Sequence, residues 1–440
     1  MQPELEHYPE SAFDVDPKTG FMPPRVPLGR LPADWELWES LLDSAIQEKL
    51  RPGDIINLPS EDAARSARWR DRVCQTPVLP TEGLNPSPIL LRRAHLVLTF
   101  LLHFYVQTLP PTAGILIPKP ISIPILRVSH QIGMPPVITF ADTVLYNWNL
   151  ITPTPTPTPL TNNASPPQPR NLLSQTLFTS LPDEQAFYLS SARIELRGVQ
   201  ALQIMRTTMD EIFVGDALAV GRITKLLTTL TTVVDEMRKL LLDVREECDP
   251  DVYYNDVRPW FRGEDSDTYK RRWVFEGLED LEREGIKQPR ELSGASAGQS
   301  SLVHALDCFL GVENVKTSAE GKPSFMSRMQ VYMPRNHRLF LDHLAKTERP
   351  LRGFVQESKD EGLLRAFNEA VMALKEFRDS HMIIVTLYII GPARRARQSE
   401  EDEKRRKEWK EERLKGTGGT DLVKFLKTTR TRTAETVIDS

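Results

Sequence analysis

Apolar residues recur at three- and four-residue spacing along several long windows of this chain, the period of a helix with one face turned to a core. The spacing predicts helices over residues 35–48 and 89–108, and longer ones over 183–209 and 216–244. Asp183 stands as an N-cap for the first of the long pair, and an Asp again opens the second. The clearest helix covers 361–390, with no Gly or Pro after Gly362, and Gly391-Pro392 predicts its end. Residues 115–125 are interrupted by Pro118, Pro120 and Pro124, which predicts irregular chain or a short edge strand. Residues 140–148 read as a short helix or turn. No alternation of strands and helices runs through the chain, which argues against a parallel α/β sheet. The fold class is therefore mainly α.

Proline divides this pattern. Of 440 residues 35 are proline, and seven crowd into ITPTPTPTPLTNNASPPQPR, residues 151–170. Such a stretch cannot join a helix ladder and has little to bury, so it reads as an extended or disordered linker or insertion. It separates a smaller N-terminal region, 1–150, of mixed and helical character, from a larger helical region, 171–440. Within the latter, residues 394–415 hold ten Lys/Arg and seven Asp/Glu. That segment reads as solvated chain or as a lid ending in the glycine cluster Lys415-Gly-Thr-Gly-Gly-Thr-Asp-Leu422.

Charge is nearly balanced, 56 Lys+Arg against 60 Asp+Glu, so neither a nucleic-acid nor a membrane surface is expected as partner. Cys74, Cys248 and Cys308 have no CxxC spacing, which disfavours a disulfide scaffold or a cysteine zinc site. The start, MQPELEHYPE, has no apolar core of a signal peptide, and the most apolar run, 96–106, falls short of the ~20 residues of a membrane helix. A cytoplasmic location is the expectation.

Three places carry candidate chemistry. His381 shares helical spacing with Leu374, Phe377, Ile384, Val385 and Tyr388. A core histidine and an axial haem ligand both fit that position, whereas an HExxH zinc pair does not. Gly294-Ala-Ser296-Ala-Gly298 matches the spacing of a nucleophile elbow but lacks a strand before it. It reads better as a small-residue loop feeding a helix from about Ser300, with the Ser296 hydroxyl available to a ligand. Arg258 lies inside the aromatic cluster Tyr253-Tyr254-Asn-Asp-Val-Arg258-Pro-Trp260-Phe261. An arginine beside rings suits either a surface ion pair or a carboxylate clamp next to an aromatic pocket, as an aromatic amino acid would need.

Four segments together, Ser293–Ser301 (SGASAGQSS), Tyr332–Arg338 (YMPRNHR), Arg378–His381 (RDSH) and Lys415–Leu422 (KGTGGTDL), resemble the indoleamine 2,3-dioxygenase family in order and spacing. Pro135–Trp148 extends the resemblance into the N-terminal part. The resemblance implies a large helical domain holding haem b and a smaller domain capping its pocket. It implies His381 as the iron ligand, with Asp307 and Arg378 forming a polar network on the haem's side. It implies Arg258 as the partner of the substrate carboxylate. It implies an indole pocket lined by Phe187, Tyr188, Tyr253 and Tyr254, with Phe140, Thr143, Val144 and Ser191 at other pocket positions. Ala295, Ser296 and Ala297 match the small-residue wall, with Ser296 beside Arg258 at the reacting centre. Thr417, Gly418, Gly419 and Thr420 match a loop that closes over substrate.

The implied reaction opens the indole ring of L-tryptophan with O2, giving N-formylkynurenine, in a monomer supplied by a cellular reductant. The chain departs from the family pattern in carrying Phe140 where Tyr is common, Ala295 where Gly is common, and tyrosines 253 and 254 where Phe is common. Pro259 is expected to hold the Arg258 backbone out of the α region. Other readings are a haem-binding sensor or an enzyme for another indole, a serine hydrolase built on Ser296, and a helical interaction scaffold.

Overall fold

The computed structural model describes residues 13–152, 167–312, 325–399 and 422–438. The first helices are α1 (Glu36–Gln47), α2 (Ser60–Gln75) and α3 (Pro88–Gln107). Strand β1 (Ile115–Ile117) leads into α4 (Lys119–Ile132), and strands β2 (Trp148–Leu150) and β3 (Leu172–Ser174) flank the proline-rich stretch. Two long antiparallel helices follow, α5 (Pro182–Val214) and α6 (Ala219–Glu247). Short α7 (Pro250–Val252), strand β4 (Trp273–Phe275) and short α8 (Leu278–Leu281) precede α9 (Ser301–Leu310). The chain continues through α10 (Phe325–Gln330), α11 (Arg335–Ala345), α12 (Leu351–Ser358), α13 (Glu361–Val385), α14 (Gly391–Ser399) and α15 (Leu422–Glu435). The protein is mainly α, as the periodicity requires.

Local chemistry explains where the site-bearing helices begin. Ser87, Ser300 and Asp360 each turn a side-chain oxygen onto the exposed N–H two or three residues into α3, α9 and α13. Asp183 is not such a cap. Pro182 takes the first helical position, and the Asp183 carboxylate instead accepts the Asp249 N–H at 2.7 Å, tying the start of α5 to the end of α6. The proline-broken stretch after β1 is a helix. Pro120 sits in its first turn, where an N–H has no partner anyway, so only Pro124 removes a ladder bond. Gly391-Pro392 does not end the helical path either. A π-turn over Thr386–Ile390 sends the Gly391 N–H to Thr386 O, and α14 continues with its proline in the first turn.

Strand pairing is minimal: β1 runs parallel to β4, and β2 antiparallel to β3. The second pair brings both ends of the proline-rich stretch together, reinforced by Thr152 N–H to Asn171 Oδ1 at 3.0 Å. Of the linker expected at 151–170, residues 153–166 lie outside the described residues.

One core joins α1–α4 to the segment between α7 and β4. There Phe178 stacks between Phe100 and Trp260, with ring centroids 4.2 and 5.5 Å apart. A second core fills the space among α5, α6, α9, α11, α12 and α13. Helix α3 has 20 residues and is, among the described residues, the one helix long and apolar enough to cross a membrane; the eleven-residue run read from the sequence was too short a count. It is the centre of the first core, with all 14 positions from Arg93 to Val106 buried, and Leu91 before them.

Candidate functional site

Helix α13 packs along α6, and α6 along α5, so the three form the frame of the larger core. Along α13 and the π-turn that follows it the apolar stripe of Leu374, Phe377, Ile384 and Tyr388 is buried, but His381 in its midst is only half-buried. A satisfied core histidine would be closed off on all sides and hydrogen-bonded. Instead the ring keeps accessible surface, and desolvation with the nearby Arg378 charge lowers its pKa to about 4. The result is a neutral imidazole on a rigid helix, the form that ligates a metal. One turn earlier, Arg378 grips Asp307 of α9 through both carboxylate oxygens at 2.5 and 2.7 Å, and this pair is buried. Arg378 also donates to Thr433 of α15, which docks the C-terminal helix against α13.

Among the described residues no group of three His, Cys, Asp or Glu side chains is gathered for a bare metal ion. Iron carried by a macrocycle needs a single protein nitrogen, and His381 offers one. The residues present therefore fit haem: a neutral, half-exposed imidazole, with a buried Arg–Asp pair beside it to fix the helices that carry it.

The aromatic group assembles around the start of α5 and the turn after α7. Phe187 and Ser191 stand one turn apart on α5, both half-buried. Phe187 meets Tyr253 at 4.4 Å between ring centroids, and Tyr253 meets Tyr388 edge-on at 5.7 Å. Burial pushes the Tyr253 phenol well above its usual range, so it stays protonated. Tyr188 belongs to the same cluster, its ring 5.8 Å from that of Phe261, and its hydroxyl donates to Glu184 at 3.1 Å. The Arg258 guanidinium lies over the Tyr254 ring, 5.4 Å from its centroid, and desolvation lowers its pKa from the usual arginine value. Arg258 also corrects one expectation. Its backbone is in the α region, φ −56° and ψ −35°, because it opens a 3-10 turn in which Pro259 occupies a position that needs no N–H.

The small-residue loop is held against this turn by glycine. A Cβ on Gly294 would lie 1.7 Å from Phe261 O, and one on Gly263 would lie 2.1 Å from Leu292 O. Only glycine allows the two backbones to touch there. Ser296 caps the 3-10 turn Ala297–Gln299, its Oγ accepting the Gly298 N–H at 3.3 Å, with no histidine among its described partners. No strand precedes it, so the elbow of a hydrolase is not built. Ala295 and Ser296 are half-buried and Ala297 is exposed.

Phe140 opens a π-turn over Ala141–Leu145, with Phe140, Thr143 and Val144 all buried. Asp142 anchors this turn, accepting from Thr139 N and Oγ1 at 2.9 and 2.7 Å and contacting His95 Nδ1 at 2.7 Å. Residues 417–420, expected to close over substrate, lie outside the described residues.

Two residues that tie these segments were not singled out from the sequence. His103 of α3 donates from Nδ1 to Trp260 O at 2.7 Å and accepts the Ile138 N–H at Nε2 at 3.2 Å. Burial lowers its pKa to about 4, keeping the neutral tautomer this bridge requires. Gln299 accepts the Phe140 N–H at 2.8 Å and donates to Gly294 O at 2.9 Å. The only advance signals were a histidine within an apolar run and a glutamine beside the small-residue loop.

A separate hollow of about 680 Å³ lies between α4 and α10, lined by Pro135, Pro136, Arg290 and Tyr332 among others, and contains none of these site residues.

Comparison with known proteins bears on the whole chain. The family model described as indoleamine 2,3-dioxygenase matches residues 9–436. The chain is 32% identical over 431 residues to indoleamine 2,3-dioxygenase acdA of Aspergillus candidus, covering 96% of each chain. It is 29% identical to indoleamine 2,3-dioxygenase of Saccharomyces cerevisiae, covering 99% of this chain and 94% of that one. With indoleamine 2,3-dioxygenase 2 of Homo sapiens it shares 29% identity, with 79% of each covered.

Proposed function

Because the chain belongs to the indoleamine 2,3-dioxygenase family, whose members are haem-dependent dioxygenases, we propose that it opens the indole ring of L-tryptophan with O2 to give N-formylkynurenine. Both oxygen atoms enter the product, so atoms balance with no leaving group. The observation that carries this reading is the coincidence of a neutral, half-exposed His381 with an arginine set in aromatic rings. Haem b held at His381 supplies the iron that activates O2.

The chain's own residues do the rest. Arg258 pairs with the substrate carboxylate, a charge-assisted contact strengthened by its desolvated surroundings. Phe187, Tyr253 and Tyr254 pack on the indole and keep water away from the reacting carbons. Ser191 of α5 and Ser296 of the small-residue loop offer hydroxyls at its edge. The buried turn with Phe140, Thr143 and Val144 and the loop with Ala295 and Ala297 limit the pocket's width. Asp307 and Arg378 keep α9 and α13, and so His381, in register. The enzyme acts in the cytoplasm as a monomer, kept active by a cellular reductant.

The test is the haem-loaded protein with L-tryptophan, D-tryptophan and tryptamine. L-Tryptophan should shift the Soret band and yield N-formylkynurenine. Arg258→Ala should lose about ten- to hundredfold in kcat/KM, the value of a charged hydrogen bond of ~1.5–3 kcal/mol. Tryptamine, without a carboxylate, should be nearly indifferent to that substitution. Equal kcat/KM for L-tryptophan in both proteins would remove Arg258 from the site. A haem spectrum blind to L-tryptophan would favour a sensor or another indole, and a protein that takes up no haem would leave the scaffold reading.

A further inference from the structure

Three segments meet around the site proposed above: the π-turn that starts at Phe140, the turn of Arg258 to Gly263, and the loop of Gly294 to Gln299. Each pair is tied once. His103 joins the first to the second through Ile138 N–H and Trp260 O. Direct backbone contact at Gly294 and Gly263 joins the second to the third. The remaining side of the triangle is Gln299, which is 1% exposed. Its Oε1 accepts the Phe140 N–H and its Nε2 donates to Gly294 O. The Phe140 N–H lies at the start of a turn and has no partner within it. The assignment of the amide is unambiguous, since one neighbour can only donate and the other can only accept.

We propose that Gln299 is a positioning residue for the dioxygenase reaction, its amide setting the separation between the Phe140 turn and the Ala295–Ala297 wall. The proposal rests on the reading that these two segments bound the substrate. The chemistry demands an amide. Methionine fills the volume but supplies neither bond. Glutamate can accept from Phe140 N–H, but its second oxygen then faces Gly294 O without a proton. Protonated glutamic acid restores the missing donor.

That difference defines the experiment. Haem-loaded wild type, Q299M and Q299E are compared for haem content, thermal midpoint, and KM and kcat with L-tryptophan between pH 6 and pH 8. Q299M should load haem yet lose roughly ten- to hundredfold in kcat/KM, as two hydrogen bonds to buried backbone groups are lost, with KM rising more than kcat falls. Q299E should show the same loss at pH 8 and recover toward wild type at pH 6. The ionisable side chains nearby are Glu195 of α5, reached through Ser300; His304 of α9, whose Nε2 meets Gly298 O; and Asp142 and His95 behind the Phe140 turn. They are common to all three proteins, so the profile is read relative to wild type. Wild-type KM and kcat in Q299M overturn the proposal. So does a Q299E deficit that does not change with pH. If the wild type loads haem but turns over no indole, the reading of function fails instead. The CO stretching frequency of the reduced, CO-treated proteins then decides for Gln299: a shift in Q299M supports it and an unchanged band overturns it.

Discussion

His381 shows how much a single position can mean two things until its surroundings are known. Its spacing along α13 is that of a core residue, and the neighbours on that stripe are buried as such. Its own half-burial and a pKa lowered to about 4 by desolvation and the nearby Arg378 leave a neutral imidazole, a form able to ligate a metal. His381→Ala should abolish stable haem binding, read as loss of the Soret band after purification, with the apoprotein's helical circular dichroism retained. Retained haem with an unaltered spectrum would sink the assignment. Arg258 and the four family-like segments were legible because motif order survives without structure. Gln299 and His103 were not, because each is tied to a backbone group far along the chain, Gln299 to Phe140 and His103 to Trp260. A side chain that reads backbone leaves no pattern of matching residue types.

At the scale of elements, helical periodicity located α1, α3, α5, α6 and α13, since a 3.6-residue stripe is forced on any helix that buries one face, but it did not pick out the 16-residue α2, of which only Ser66, Trp69 and Val73 are buried. It failed at prolines. Pro120, Pro259 and Pro392 all sit in the first turn of a helical segment, where the missing N–H has no partner to lose. Glycine is the reverse case: Gly294 is not a flexible point but a contact point. Gly294→Ala must move the small-residue loop away from Phe261 O, since a Cβ there would come within 1.7 Å. The expected outcome is a kcat/KM loss of about a hundredfold or failure to fold, because such a clash exceeds the ~1–3 kcal/mol of ordinary overpacking. Gly285, where a Cβ meets nothing within 4 Å but φ is +79°, serves as the comparison: Gly285→Ala should lower the thermal midpoint slightly and leave kcat/KM alone. Equal turnover in the two variants would show that the Gly294 contact does not shape the site.

Across the whole molecule, buried titratable groups oppose one another. His103 and His337 have folded pKa values of about 4 and about 3 against 6.5 in the open chain. The unfolded chain takes up their protons first as pH falls, so they withdraw stability below about pH 6.5. Glu195 has the opposite sign. Desolvation raises its pKa from 4.5 to about 7, so the folded state loses stability as pH rises through that interval. Glu195→Gln keeps an acceptor for the Ser300 hydroxyl and removes the titration. Its thermal midpoint relative to wild type should therefore be higher at pH 8 than at pH 5; parallel curves would show that the carboxyl is not neutral in the fold. By itself the sequence determined the helical class and the family, and through the resemblance it nominated His381 and Arg258 for the proposed site. The class depends on local periodicity, and the family on short motifs kept in order along the chain. Only the tertiary structure decided how the Phe140 turn, the Arg258–Gly263 turn and the Gly294–Gln299 loop are tied to one another. That information resides in backbone contacts between positions more than a hundred residues apart, as from Phe140 to Gln299 and from His103 to Trp260.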